Sequence, residues 1–294
     1  MANPLNDVKE LLYLHSKNRV FFMIYTFFKY QCCGNDFIII HSSATISTEN
    51  IVRLCDRRFG IGADGLITAS KDKEGGLDIK FYNSDGSTDT LCGNGSLCSI
   101  DFAFKNLNLT NYTLNASDGK HSFIIDLNSN HSVQFHDCLP PVIHNIDIKQ
   151  NINLENKKSV RGYFVNTGSP HFVIFMDNID KIDIMSAGRY FRNNLKINPE
   201  GCNVDFVKII SPDELSLRTF ERGVEGETLG CGTGSVATAI AYTKYIDDSS
   251  ARKSITLHNR GGKHCVSFIN KGTSYTDVYL KGHPEMVFSG TIKL

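Results

Sequence analysis

The chain has 294 residues, with 31 Lys plus Arg against 31 Asp plus Glu, 41% hydrophobic and 21% charged. That is long enough for one large or two medium domains with buried cores, and the composition is not that of a disordered chain. Balanced charge gives no electrostatic reason to bind nucleic acid or an acidic membrane. The early apolar run Val20 to Phe28 is too short to span a bilayer, is interrupted by Tyr25 and Thr26, and lacks a small-residue cleavage site after it. The nine cysteines are odd in number and form no C-x-x-C array, which argues against a disulfide framework and against a zinc site. The expectation is a cytoplasmic protein with a small-molecule partner, no nucleic acid, no membrane and no metal. A homodimer stays open.

Residues 1–22 carry a weak amphipathic pattern (Val8, Leu11, Leu12, Leu14) and no recognisable chemistry; they read as a dispensable N-terminal extension. Tyr25 to Tyr30 reads as a strand, broken by Gln31-Cys32-Cys33-Gly34-Asn35-Asp36 and resumed by Phe37 to His41. Thr48 caps an expected helix running to Asp56. The turn Gly60-Ile61-Gly62-Ala63-Asp64-Gly65 leads into Leu66 to Ala69, and Leu77 to Tyr82 is another strand. A polar turn, Asn83 to Ser87, precedes Thr90-Leu91-Cys92-Gly93-Asn94-Gly95-Ser96, where a helix begins. The alternation from Asn111 to His136 predicts antiparallel hairpins. Pro140-Pro141 and the polar Asn145 to Lys158 mark the crossing between halves.

The second half repeats the first. Gly34-Asn35-Asp36-Phe37-Ile38-Ile39 is echoed by Gly168-Ser169-Pro170-His171-Phe172-Val173-Ile174. Gly62 to Ile67 is echoed loosely by Gly201 to Val207, and Leu77 to Tyr82 by Leu215 to Glu221. Leu91-Cys92-Gly93-Asn94-Gly95-Ser96 returns as Gly230-Cys231-Gly232-Thr233-Gly234-Ser235. Blocks kept in one order at a near-constant shift indicate an internal duplication, with a period too long for a solenoid. The lobes predicted are 23–150 and 151–294, with a C-terminal strand able to return to the first. Pseudo-twofold packing of two such lobes would bring both cysteines to one interlobe cleft.

Each repeated cysteine stands where small residues let the chain turn into an apolar helix. The unpaired N–H groups and the dipole at a helix start favour an anion and lower the pKa of a thiol there. One such cysteine is an ordinary nucleophile candidate, whereas two in matching contexts suggest a pair acting on one substrate. Cys55, Cys98, Cys138, Cys202 and Cys265 lack that context and read as small buried hydrophobes. His171 and the pair Glu221-Arg222 also have bland readings, as a satisfied polar residue and a solvated ion pair. Asn35 and Asn83 stand in turns, where asparagine is common for backbone reasons alone.

The motifs Phe28-Lys29, Gly34-Asn35-Asp36-Phe37, Gly60 to Gly65, Asn83 to Ser87, Cys92-Gly93-Asn94-Gly95, Gly168-Ser169-Pro170-His171, Glu221-Arg222-Gly223 and Cys231-Gly232-Thr233-Gly234 together resemble the diaminopimelate epimerase family, in family order over about residues 25 to 290. The resemblance implies an α+β fold of two structurally similar lobes. Each is a mixed or antiparallel sheet curled around a central helix, and pseudo-twofold symmetry relates them. It implies a PLP-independent isomerase without cofactor that converts LL-diaminopimelate to the meso form for lysine and peptidoglycan synthesis. By that resemblance Cys231 takes the α-proton of the LL isomer and Cys92 returns one on the other face. Gly93, Asn94, Gly232 and Thr233 hold the reacting carboxylate. Asn35, Asn83, Ser169, Asn203, Glu221 and Arg222 contact the remaining substrate groups, and His171 and Glu221 tune the thiols.

The chain departs from the family at Ser169, Gly65, Leu97 and Cys32-Cys33, and none of these positions supplies the proton chemistry. The alternatives are a racemase of proline, hydroxyproline or histidine on the same scaffold and a non-catalytic binding protein. Asn94 stands where proline-type relatives carry histidine, and both cysteines are present, so neither alternative is favoured.

Overall fold

The computed structural model describes residues 10–15, 18–88, 91–148, 152, 154–155 and 157–294, with side chains from residue 23 onward. The chain divides into two compact units. Unit 1 contains Asp36–Ser129, Pro284–Leu294 and the residues up to Gln31; unit 2 contains Cys32–Asn35 and Asn130–His283.

In unit 1, β1 (Glu10–His15) pairs antiparallel with the start of β2 (Asn18–Cys32). The other residues of the expected extension, 1–9, 16 and 17, lie outside the described residues, as does Thr90 of the first cysteine motif. A two-residue turn joins β2 to β3 (Asn35–His41), and α1 (Thr48–Cys55) crosses over to β4 (Gly65–Lys71), which runs parallel to β3. β5 (Leu77–Asn83) pairs antiparallel with β4. Then α2 (Gly93–Asn106) crosses to β6 (Thr113–Ala116), parallel to β5, and β7 (Gly119–Ile124) folds back on β6. The C-terminal strand, Glu285–Lys293, pairs antiparallel with β2 on its other stretch.

Phe37 to Ile40 are all buried, as a strand covered on both faces requires. On one face Ile38 and Ile40 join Phe27, Ile51, Leu54, Leu66 and Tyr82 in the core. The cap of α1 is Ser47, one residue before the expected Thr48; its Oγ accepts from the Asn50 N–H at 3.4 Å. Both residues carry a hydroxyl, and the one held in extended conformation does the capping. In α2 every residue from Gly93 to Ala103 is buried, so the helix is covered on all sides, with Ser99 and Asp101 enclosed through hydrogen bonds to Gly95 and Lys105.

Unit 2 repeats this order. β8 (Ser132–Gln134) and β9 (Val142–Asp147) precede β10 (Ser159–Asn166), which pairs antiparallel with β9 and with β11 (Pro170–Phe175). α3 (Ile184–Arg192) crosses to β12 (Asn203–Ser211), parallel to β11, and β13 (Glu214–Glu221) returns antiparallel. After the short β14 (Gly226–Thr228), α4 (Gly232–Tyr245) crosses to β15 (Arg252–Asn259), parallel to β13. β16 (Gly262–Asn270) and β17 (Tyr275–Lys281) continue antiparallel, and the C-terminal strand of unit 1 is β18. The sequence echoes thus fall on matching elements: β3 with β11, β4 with β12, β5 with β13, α2 with α4. The fold is α+β and sheet-dominated, with a buried helix starting at a cysteine in each unit.

The hairpin expectation for Asn111 to His136 holds only for β6 and β7. β8 pairs instead with β17, within unit 2. Alternation reports that one face of a strand is covered; it carries no information about which strand lies alongside. No helix among the described residues is long and apolar enough to cross a membrane.

Candidate active site

In unit 1, Cys92 is the N-cap of α2, and its Sγ accepts from the Gly95 N–H at 3.5 Å. The thiol is half-buried and borders a small pocket with Ile67, Ile79, Phe81, Ser96 and Ala116. Gly93 and Asn94, the first helical residues, are buried. Gly95 leaves the thiol its room: a Cβ there would stand 3.1 Å from Ile67 and 3.5 Å from the Cys92 sulfur. Asn83 spends its side chain on its own turn, donating to Ser87 Oγ at 3.0 Å. Gly65 is a steric necessity, since a Cβ would stand 2.7 Å from the Tyr82 carbonyl oxygen and 2.9 Å from the Phe81 ring. A salt-bridged group secures the glycine-rich turn: Lys29 and Arg57 both reach Asp36, and Arg57 also reaches Asp64. Those hydrogen bonds hold the Asp36 carboxyl well below the usual carboxylate range despite its burial.

In unit 2, Cys231 is the N-cap of α4, and its Sγ accepts from the Gly234 N–H at 3.4 Å. Thr233 Oγ1 lies 3.3 Å from that sulfur and 3.0 Å from His171 Nε2. His171 Nδ1 lies 2.7 Å from Asp205 Oδ2, and both side chains are fully buried. With Nδ1–H donating to the carboxylate, Nε2 is the acceptor for the Thr233 hydroxyl, which in turn can accept from the thiol. A hydrogen-bonded line therefore runs from Cys231 through Thr233 and His171 to Asp205. Thr219 donates to the other Asp205 oxygen at 2.7 Å. Gly234 is required here, because a Cβ would fall 2.7 Å from Asp205 Oδ1.

Asn203 joins the same group. Its amide donates to Ser169 Oγ at 2.9 Å and to the Pro170 carbonyl at 3.1 Å, and its Oδ1 accepts from the Arg222 N–H at 2.8 Å. The Arg222 guanidinium has no partner among the described residues. Glu221 ends β13, and Asn35, half-buried, belongs to unit 2. The predicted residues Ser169, His171, Asn203, Cys231 and Thr233 thus converge in unit 2.

Two points depart from the sequence reading. Burial, followed by the charges of Glu221 and Asp205, pushes the Cys231 thiol well above the ordinary thiol value, against its hydrogen bonding with Thr233 and the Gly234 N–H. The helix start alone predicts the opposite direction; at a fully enclosed sulfur, desolvation outweighs it. Asp205 was missed, although it sits two residues after Asn203 on the same face of β12, and its neighbour in register on β11 is Val173, two residues after His171. Among the remaining cysteines, Cys55, Cys98, Cys138 and Cys202 are buried as expected, whereas Cys265 is half-buried beside Ser254.

A second thiol group lies nearby in unit 2. Cys33 accepts or shares hydrogen bonding with Cys32 and His264; chiefly the Cys32 contact, against burial, draws the Cys33 thiol down to about 5.

Residues 27–135 and 163–287 match the family model for diaminopimelate epimerase. The diaminopimelate epimerase of Flavobacterium psychrophilum is 41% identical over 90% of this chain and 99% of its own. That of Chlorobaculum tepidum is 34% identical over 89% and 98%. Among solved structures, a phenazine biosynthesis protein of the PhzF family from Bacillus anthracis superposes with a TM-score of 0.69 at 13% identity, covering 92% of this chain and 99% of that one. At that identity the likeness concerns the fold alone. The matched segments contain both cysteine helices and the His171–Asp205 pair, and the chain belongs to the diaminopimelate epimerase family.

Proposed function

We propose that the protein interconverts LL- and meso-2,6-diaminopimelate through two thiols, Cys231 and Cys92, without a cofactor. The observation that carries this reading is the repeated cysteine N-cap, each with its sulfur against the N–H groups of a helix start. In the LL-to-meso direction the Cys231 thiolate takes the α-proton. Charge then grows on the carboxylate, where the N–H groups of Gly93, Asn94, Gly232 and Thr233 are the donors that stabilise it. The Cys92 thiol gives its proton to the opposite face, leaving Cys231 as thiol and Cys92 as thiolate. The reverse reaction exchanges the roles.

Cys231 rests as a thiol because it is buried beside acidic charge. A substrate ammonium near Glu221 offsets part of that charge and draws the thiol towards ionisation, so that the base forms when substrate is present. The line Thr233–His171–Asp205 fixes the orientation of the groups around the sulfur. Specificity rests on the distal end of the substrate: the Arg222 guanidinium suits a second carboxylate as a planar fork, while Asn35, Asn83, Ser169 and Asn203 supply polar contacts. This makes the protein a PLP-independent isomerase of lysine and peptidoglycan biosynthesis, working in the cytoplasm, where thiols stay reduced.

The test is solvent-deuterium incorporation into a panel of amino acids by wild type and Arg222→Lys. LL- and meso-diaminopimelate exchange, while proline, alanine and histidine exchange about a hundred-fold less efficiently or not at all. Arg222→Lys narrows that preference. Comparable exchange into proline or histidine defeats the substrate assignment and leaves the two-thiol chemistry standing.

A further inference from the structure

The turn between β2 and β3 consists of Cys33 and Gly34, at φ 52° and 78°. A two-residue turn with both central φ values positive is ordinarily filled by Asn-Gly, Asp-Gly or Gly-Gly, because a larger side chain is strained there. Cys33 therefore holds its place against the local preference, and strained non-glycine residues of this kind concentrate at functional positions. The turn is also clasped by glycines: a Cβ on Gly261 would stand 2.0 Å from the Cys33 carbonyl oxygen, and one on Gly230 would stand 2.6 Å from the Cys33 Cβ.

What this arrangement gathers is a set of soft ligands. One sulfur each from Cys32 and Cys33 and one ring nitrogen of His264 lie within 4.8 Å of one another. All three residues are buried, at 0%, 7% and 1% exposure. His264 is itself held in place, with Ser235 Oγ 2.9 Å and Asn259 Nδ2 3.3 Å from its Nδ1. Outer partners of this kind fix the ring orientation of a ligating histidine. Two thiols and an imidazole suit a borderline d¹⁰ cation, and three protein ligands leave one position open on a tetrahedral ion.

We propose that Cys32, Cys33 and His264 form a Zn²⁺ site. Binding requires both sulfurs as thiolates and the His264 imidazole neutral, so that any proton these groups still carry passes to solvent, with no change of oxidation state. The site adjoins the catalytic helix: Ser235, which contacts His264, also donates to the Cys231 carbonyl at 2.9 Å, and Gly230 immediately precedes Cys231. A bound cation is thus one hydrogen bond removed from the first turn of α4.

The experiment titrates the reduced full-length protein with Co²⁺ as a spectroscopic probe and then with Zn²⁺ as competitor. One equivalent of Co²⁺ produces a thiolate-to-cobalt charge-transfer band that Zn²⁺ abolishes. Cys33→Gly, which suits the positive φ and keeps the fold, weakens binding at least about a hundred-fold, since losing a ligand exceeds the 10–100-fold cost of losing an outer partner. His264→Gln weakens it likewise, whereas Cys92→Ser and Cys231→Ser retain the band. The proposal is overturned if wild type shows no band, if the band persists in Cys33→Gly, or if it disappears in Cys231→Ser. It is equally overturned if Cys32 and Cys33 are found as a disulfide that resists reductant.

Discussion

The starts of α2 and α4 are the same device carrying different equipment. In each, a cysteine caps the helix and accepts from the glycine N–H three residues on, at 3.5 and 3.4 Å. In each, a serine hydroxyl in the helix bonds back to a carbonyl four residues earlier, Ser99 to Gly95 and Ser235 to Cys231. Beyond that they diverge. Thr233 links Cys231 to a buried imidazole–carboxylate pair, while Asn94 stands at the matching place after Cys92, whose pocket is bordered by Ile67, Ile79, Phe81 and Ala116. Duplication supplies two equivalent thiols. A two-base inversion needs them in opposite protonation states, and the unequal surroundings are what can set that inequality.

The largest expected effect comes from removing either thiol. Cys92→Ser and Cys231→Ser each lower kcat for both substrate isomers by about three to four orders of magnitude, the upper range for a positioned acid or base. Steady-state assays in both directions measure this, and a variant retaining near-normal turnover removes that cysteine from the mechanism. A smaller effect is expected from Asp205→Asn, which keeps the shape of the site but removes the charge behind His171. It lowers kcat about ten- to a hundred-fold and shifts the pH profile, with KM little changed; an unchanged profile limits Asp205 to a packing role.

The smallest effect is on stability. Because the folded state raises the Cys231 thiol, folded protein keeps a proton that the unfolded chain releases above the ordinary thiol value of about 8.5. The contribution is therefore level below that pH and is lost as pH rises beyond it, at up to about 1.4 kcal/mol per pH unit. Cys55, Cys138 and Cys202, pushed up to about 11, 12 and 12 by burial, add to the same slope. Urea midpoints fall between pH 8 and 10, less steeply in Cys231→Ser. Equal slopes in the two proteins would mean that burial of Cys231 does not govern its ionisation.

Much of this was legible before any coordinates. The glycine-flanked cysteines, the strand Phe37 to Ile40 and the order of repeated blocks are local patterns, and local patterns survive translation into structure. What escaped depends on long-range neighbours. Asp205 acquires meaning only when β12 lies parallel to β11 and the carboxylate meets His171, 34 positions earlier in the chain. The upward shift of Cys231 needs a measure of enclosure that no motif carries. The cluster of Cys32, Cys33 and His264 escaped for the same reason: 231 positions separate Cys33 from His264, and only the fold brings them together. The departure at Gly65 likewise has a long-range cause, since the Tyr82 carbonyl and the Phe81 ring leave no room there for a side chain.

The pairing of β18 with β2 sets the order in which this protein can be made. Gln31 lies opposite Glu285, 254 positions further along the chain. While the ribosome works through the intervening chain, the stretch of β2 from Ile24 to Gln31 has been synthesised but its partner has not. An unpaired strand edge is a template for the wrong neighbour, and β2 is exposed to that hazard through the synthesis of all of unit 2. The unit that leaves the ribosome first is the one whose sheet is completed last.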